Sequence, residues 1–199
     1  MRRLLILLPA VLVFLAFAVP VAAARPIKSS GTWEQASAFS SSCTQQGGLT
    51  QCTDVFVDVF AFEDEFTDVC VGMFSYSISP SGRFRSTGDA SGCGPANGFA
   101  VADDATWATL GASDVQLYSC DQRSCTEGDL VTVVADWTAI GEPSAYSGRA
   151  TYTFESCTYR QSWDGVQAQA ASSFSIDGAV YDGDGYILRE EFTVSEQCR

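Results

Sequence analysis

Alternation of apolar and polar side chains constrains this chain most. From Asp54 to Phe62, Val55, Val57, Val59 and Ala61 share one parity, while Asp54, Phe56, Asp58, Phe60 and Phe62 take the other. Val69 to Ser79 repeats the habit, with Cys70, Phe74, Tyr76 and Ile78 on one side. Pro80-Ser81-Gly82 then turns into Arg83-Phe84-Arg85-Ser86-Thr87. Leu130 to Ala139 alternates through Val131, Val133, Ala135 and Trp137, and Arg149 to Gln161 through Tyr152 and Phe154. Val166 to Ile176 precedes Asp177-Gly178, a hairpin dipeptide, and Tyr186 to Val194 reads as a final strand. Period two with turn residues between the runs is the pattern of antiparallel strands.

The sequence therefore predicts an all-β chain of about nine or ten strands. The expected architecture is a two-sheet antiparallel β-sandwich stapled by disulfides, with a closed β-barrel as the alternative. Gly141-Glu142-Pro143-Ser144 and Trp163-Asp164-Gly165 read as further turns, and Gly88 to Gly98 as a long loop. Ala100 to Ala112 is the best candidate for a helix. No linker divides the chain.

The eight cysteines define the setting. Cys43, Cys52, Cys70, Cys93, Cys120, Cys125, Cys157 and Cys198 form an even set, with no C-x-x-C pair and no histidine anywhere. Zinc sites and histidine-activated thiolates lack their parts, so four disulfides are expected. Local pairing predicts Cys43–Cys52 around a polar Gly47-Gly48 loop and Cys120–Cys125 across a hairpin tip. Cys70–Cys93 and Cys157–Cys198 then remain.

The N-terminus agrees with an oxidising compartment. Arg2-Arg3, an apolar run from Leu4 to Val19, then Pro20 and Val21-Ala22-Ala23-Ala24 have the form of a cleavable signal peptide, residues 1–24. A single secreted, extracellular domain over 25–199 is the expectation. Loss of Arg2 and Arg3 would move the net charge from −13 to −15. Such a surface repels nucleic acid and anionic membrane. One lysine and one asparagine suggest a GC-rich, bacterial genome.

Candidate sites follow from residue type. Asp182-Gly183-Asp184-Gly185-Tyr186-Ile187, with Glu191, resembles the second part of an EF-hand loop. Val180 stands where the first acidic ligand belongs and no entering helix precedes it, so a β-turn is the competing reading. Asp182 and Asp184, with Asp177, are the candidate calcium ligands. Of the tryptophans, Trp137 lies among core valines, whereas Trp107 and Trp163 are candidates for stacking against sugars. Glu155, Glu190 and Glu191 are the carboxylates a glycoside hydrolase would draw on, but Glu190 and Glu191 are neighbours and face opposite ways on a strand. Serine-triad chemistry lacks histidine, and no nucleotide-binding fingerprint is present.

The functional expectation is an extracellular or envelope-associated binding module, with carbohydrate as the most specific ligand class. The rivals are a carboxylate-dependent polysaccharide enzyme and a protein-binding or inhibitor domain. The rigid loops at Cys43–Cys52 and Cys120–Cys125 would suit the last of these.

Overall fold

The computed structural model describes residues 26–63, 65–120 and 124–198; the segment read as a signal peptide, 1–24, lies outside them. Ten strands make up nearly all of it: β1 (Ile27–Gln46), β2 (Leu49–Phe62), β3 (Phe66–Ile78), β4 (Phe84–Pro95), β5 (Ala100–Val101), β6 (Trp107–Cys120), β7 (Cys125–Ala139), β8 (Ser144–Phe154), β9 (Cys157–Ile176) and β10 (Ala179–Cys198). All pairings are antiparallel. The ladder runs β10-β1-β2-β3-β4-β6-β7-β9 and β9 pairs back with β10, so the hydrogen bonding is ring-like. Beside this ring β8 pairs with β9, and the short β5 with β6. A ring of ladders is common to a barrel and to a flattened sandwich that shares strands. The all-β, antiparallel architecture is what the alternation predicted, and its disulfide bonding what the even cysteine count predicted.

The inward parity is apolar and small. Ala36 and Ala38 of β1, Val55, Val57 and Val59 of β2, Val69 and Val71 of β3, Leu110 and Val115 of β6, Val133, Ala135 and Trp137 of β7, and Ile187 of β10 are all buried in one cluster. Trp137 is its largest member, 1% exposed. Its indole Nε1–H donates across the interior to the Ser37 carbonyl at 2.8 Å. Gly185, beside it on β10, leaves room for that carbonyl: a Cβ there would stand 1.8 Å from the Ser37 oxygen. Gly183 meets the Phe39 carbonyl in the same way.

Those contacts correct the reading of Asp182 to Gly185 as a turn. The stretch lies inside β10, and its glycines serve close backbone approach. The turn is at Asp177-Gly178, where φ is 50° and 79°, as the dipeptide predicted. Trp163-Asp164-Gly165 likewise lies inside β9, with the Tyr146 ring and the Arg189 carbonyl against Gly165.

Three further expectations are revised. Ala100 to Ala112 forms β5, a turn and the start of β6, because pairing with β7 outweighs alanine's helical preference. Gly88 to Gly98 is mostly β4, whose Gly92 sits against the Gln116 carbonyl where no Cβ fits. The run from Arg149 to Gln161 is broken by a two-residue turn at Glu155-Ser156, with Glu155 at φ 53°.

All four disulfides pair as expected: Cys43–Cys52, Cys70–Cys93, Cys120–Cys125 and Cys157–Cys198. Each joins residues directly opposite one another on neighbouring strands.

Candidate functional site

The inward parity does not stop at the edge of the core. Strands β1, β10, β9 and β8 run on together past the last residue of β2, and their ladder places the inward-parity residues in rows. Ala36 and Ile187 are paired and fully buried. One step out, Glu34 pairs with Arg189, beside Val166 and Ala145. Beyond it come Thr32, Glu191, Asp164 and Ser147, and then Ser30, Thr193, Ser162 and Arg149. The outermost row is Lys28, Ser195, Arg160 and Thr151. The lining thus changes from aliphatic to ion-paired to hydroxyl and cation. With rows about 7 Å apart and strands about 4.8 Å apart, the outer three rows span roughly 14 Å each way.

A hollow of about 350 Å³ is set into this face over β8 and β9. It is lined by Ser147, Gly148, Arg149, Ser162, Trp163 and Asp164. Ser147, Arg149, Ser162 and Asp164 project from the rows just described. The Trp163 ring lies on the opposite face, across Gly148, occupying the space of the missing Cβ. That arrangement covers an otherwise bare edge-strand glycine with an aromatic ring.

At the rim of the core a second hollow, about 620 Å³, is lined by Thr32, Glu34, Ala61, Glu63, Glu65 and Arg189. Arg189 Nη1 holds Glu34 Oε1 at 2.7 Å and Asp103 Oδ1 at 3.1 Å. Burial nonetheless raises the Glu34 carboxyl above its ordinary value, against the pull of Arg189. The Glu63 carboxyl lies against Gly31 beside Phe192, on the other side of β1. Glu34 therefore works as the partner of an arginine and does not face Glu63 as an acid faces a base.

The opposite, outward parity carries an aromatic band. Trp33 stacks on Phe60, Phe62 stacks on both Phe66 and Phe192, and Phe56 stacks on Phe74. Polar groups are held within this face. Asp58 is raised by burial, with a hydrogen bond from Ser37 opposing. Glu190 is raised by burial too, and accepts the Tyr146 hydroxyl at 2.9 Å. The same contact and burial lift Tyr146 far above the ordinary phenol range.

The residues singled out from sequence are scattered by this fold. Trp107 is 47% exposed at the start of β6. Its row passes through Thr138 to Ala171, which lies eight residues, about 26 Å, along β9 from Trp163. The two tryptophans do not make one platform. Asp177 stays in its turn, where Oδ1 accepts the Thr132 N–H at 2.8 Å. Asp182 and Asp184 lie roughly 10 and 16 Å beyond that turn along β10. The three aspartates do not converge on one ion. Among the described residues the one close group of potential ligands is Cys157, Glu196 and Cys198, whose cysteines are bonded to each other.

Arg149, Ser147, Ser162 and Asp164, with Lys28 and Arg160, were missed. For those on β8 and β9 the signal was present as hydroxyl and charged residues at every second position of Ser147 to Thr153 and Thr158 to Asp164. Reading Asp164-Gly165 as a turn cut that ladder short.

No protein family and no curated protein matches the chain. Among solved structures, the β-domain of the Bordetella autotransporter BrkA aligns over 81% of this chain and 98% of its own. The identity is 10% and the TM-score 0.17, so that likeness carries no argument about fold or function.

Proposed function

We propose that the protein is a secreted, extracellular binding module for carbohydrate, and that the β8–β9 hollow holds the ligand. The hollow carries the reading: two hydroxyls, a guanidinium and a carboxylate converge on a recess of about 350 Å³, within the size range of small-molecule sites. Sugar hydroxyls pair with such groups, and β8, with no further strand beyond it among the described residues, leaves the recess open at one side for a polymer to run through. Four disulfides favour an oxidising, extracellular setting.

The test is depletion of the oxidised protein from solution by insoluble polysaccharides and peptidoglycan. Selective removal by one polymer, reduced at least tenfold by Arg149→Ala, is the expected result. Arg149 is exposed and enters no ion pair among the described residues, so its loss leaves the fold intact. Removal by no polymer would overturn the reading. Release of shortened sugars from the bound polymer would convert it to a hydrolase.

A further inference from the structure

The charges on the same face say which kind of polymer fits. The described residues include six lysines and arginines, in a chain of net charge −13. Three of them, Lys28, Arg149 and Arg160, project from the two outermost rows of this one face. Arg189, a fourth, sits at its inner rim and is taken up by Glu34 and Asp103. The outer three are exposed, and none forms an ion pair or side-chain hydrogen bond among the described residues. By ladder spacing Arg160 stands roughly 8 Å from Arg149 and roughly 10 Å from Lys28. Around them are Ser30, Thr151, Ser162, Thr193 and Ser195, hydroxyls that donate and accept.

We propose that Lys28, Arg149 and Arg160 form an anion-binding face continuous with the β8–β9 hollow, and that the ligand is a hydroxyl-rich polymer with spaced phosphate or carboxylate groups. The inference rests on the carbohydrate reading of the hollow and narrows it. A guanidinium grips either anion through paired N–H donors, the ammonium adds a point charge, and the serine and threonine rows satisfy the hydroxyls between. Spaced charge is required because Glu191 and Asp164 stand in the next row, about 7 Å inward of Arg149. A polyanion as dense as nucleic acid would lay phosphates over those carboxylates and meet the field of an acidic molecule as well. A sparsely charged polymer places its anions on the outer rows and its hydroxyls over the acidic one.

The experiment measures binding of the oxidised protein to poly(glycerol phosphate), polygalacturonate, neutral dextran and xylan, and single-stranded DNA, at 50 and 200 mM salt. Expected is preference for one acidic polymer, with affinity falling on the order of tenfold across that salt range. Lys28→Gln/Arg160→Gln should lose at least tenfold more and flatten the salt dependence, while its melting temperature stays that of the parent. Lys28→Gln alone, at an exposed strand end, gives a partial loss and guards against misfolding of the double variant. Preference for phosphate or for carboxylate identifies the source of the anion. Binding of a neutral polymer unaffected by the double variant overturns the charge assignment and leaves the carbohydrate reading standing. Strongest binding to DNA, or binding to nothing, overturns both.

Discussion

A single indole shows how one side chain can hold the interior together. Trp137 fills the core and also satisfies the Ser37 carbonyl, a backbone acceptor on a strand 100 residues away. Trp137→Phe shrinks the ring at the centre of the core and removes its N–H donor to that carbonyl. The expected cost is about 1–3 kcal/mol, read as a lower urea midpoint with an unchanged slope. An unchanged midpoint would mean that the carbonyl finds water or another donor. Other residues are easier to replace. Asp182 and Asp184 are exposed, and neither shares an ion site with Asp177.

At the scale of strands, glycine has two uses here that sequence does not distinguish. Gly178 supplies a positive φ in a hairpin, while Gly185 supplies room for the Ser37 carbonyl. Gly178→Ala should cost about 1 kcal/mol through conformation alone. Gly185→Ala drives a methyl into a backbone oxygen and should cost about 3 kcal/mol or prevent folding. Equal urea midpoints for the two variants would refute the distinction. The same ambiguity sets how much of the fold was legible. Alternation revealed the strands, and Pro80-Ser81-Gly82, Gly141 and Asp177-Gly178 marked real turns. Asp164-Gly165 and Asp182 to Gly185 carry turn-like residues inside strands, and Glu155-Ser156 turns without a glycine. The candidate site was less legible still. Its face exists only once β1 is laid against β10 and β10 against β9, a register that brings Lys28 beside Ser195 and Arg160.

For the whole molecule, acidity is a stability term as well as a surface property. Glu34, Asp58 and Glu190 are all raised by burial. A carboxyl raised in the folded state is penalised while charged. Its contribution is therefore most favourable below its unfolded value and is lost as pH rises through the folded one. Acidification from pH 8 toward the ordinary values of these groups, 4.5 for the two glutamates and 3.8 for Asp58, should accordingly raise the melting temperature, and it reduces self-repulsion in a chain of pI about 4.1. Asp104, lowered by its hydrogen bonds from Thr106, acts in the other direction, but only as pH falls through and below its ordinary value of 3.8. Asp58→Asn should raise stability at pH 8 and flatten the slope. A melting temperature that falls as pH is lowered from 8 toward that range would contradict the assignment.

The four cross-strand disulfides also impose a calendar on the chain. Cys43 meets Cys52 nine residues later, Cys120 meets Cys125 after five, and Cys70 meets Cys93 after 23. Each of these bonds can close as soon as its own pair of neighbouring strands has emerged and paired. Cys157 must wait 41 residues for Cys198. This bond closes last of the four in chain order, and it fastens β9 to β10, two of the strands that carry the open face. A product that stops before Cys198 leaves Cys157 without its partner, so the state of this one thiol reports whether β10 has been made.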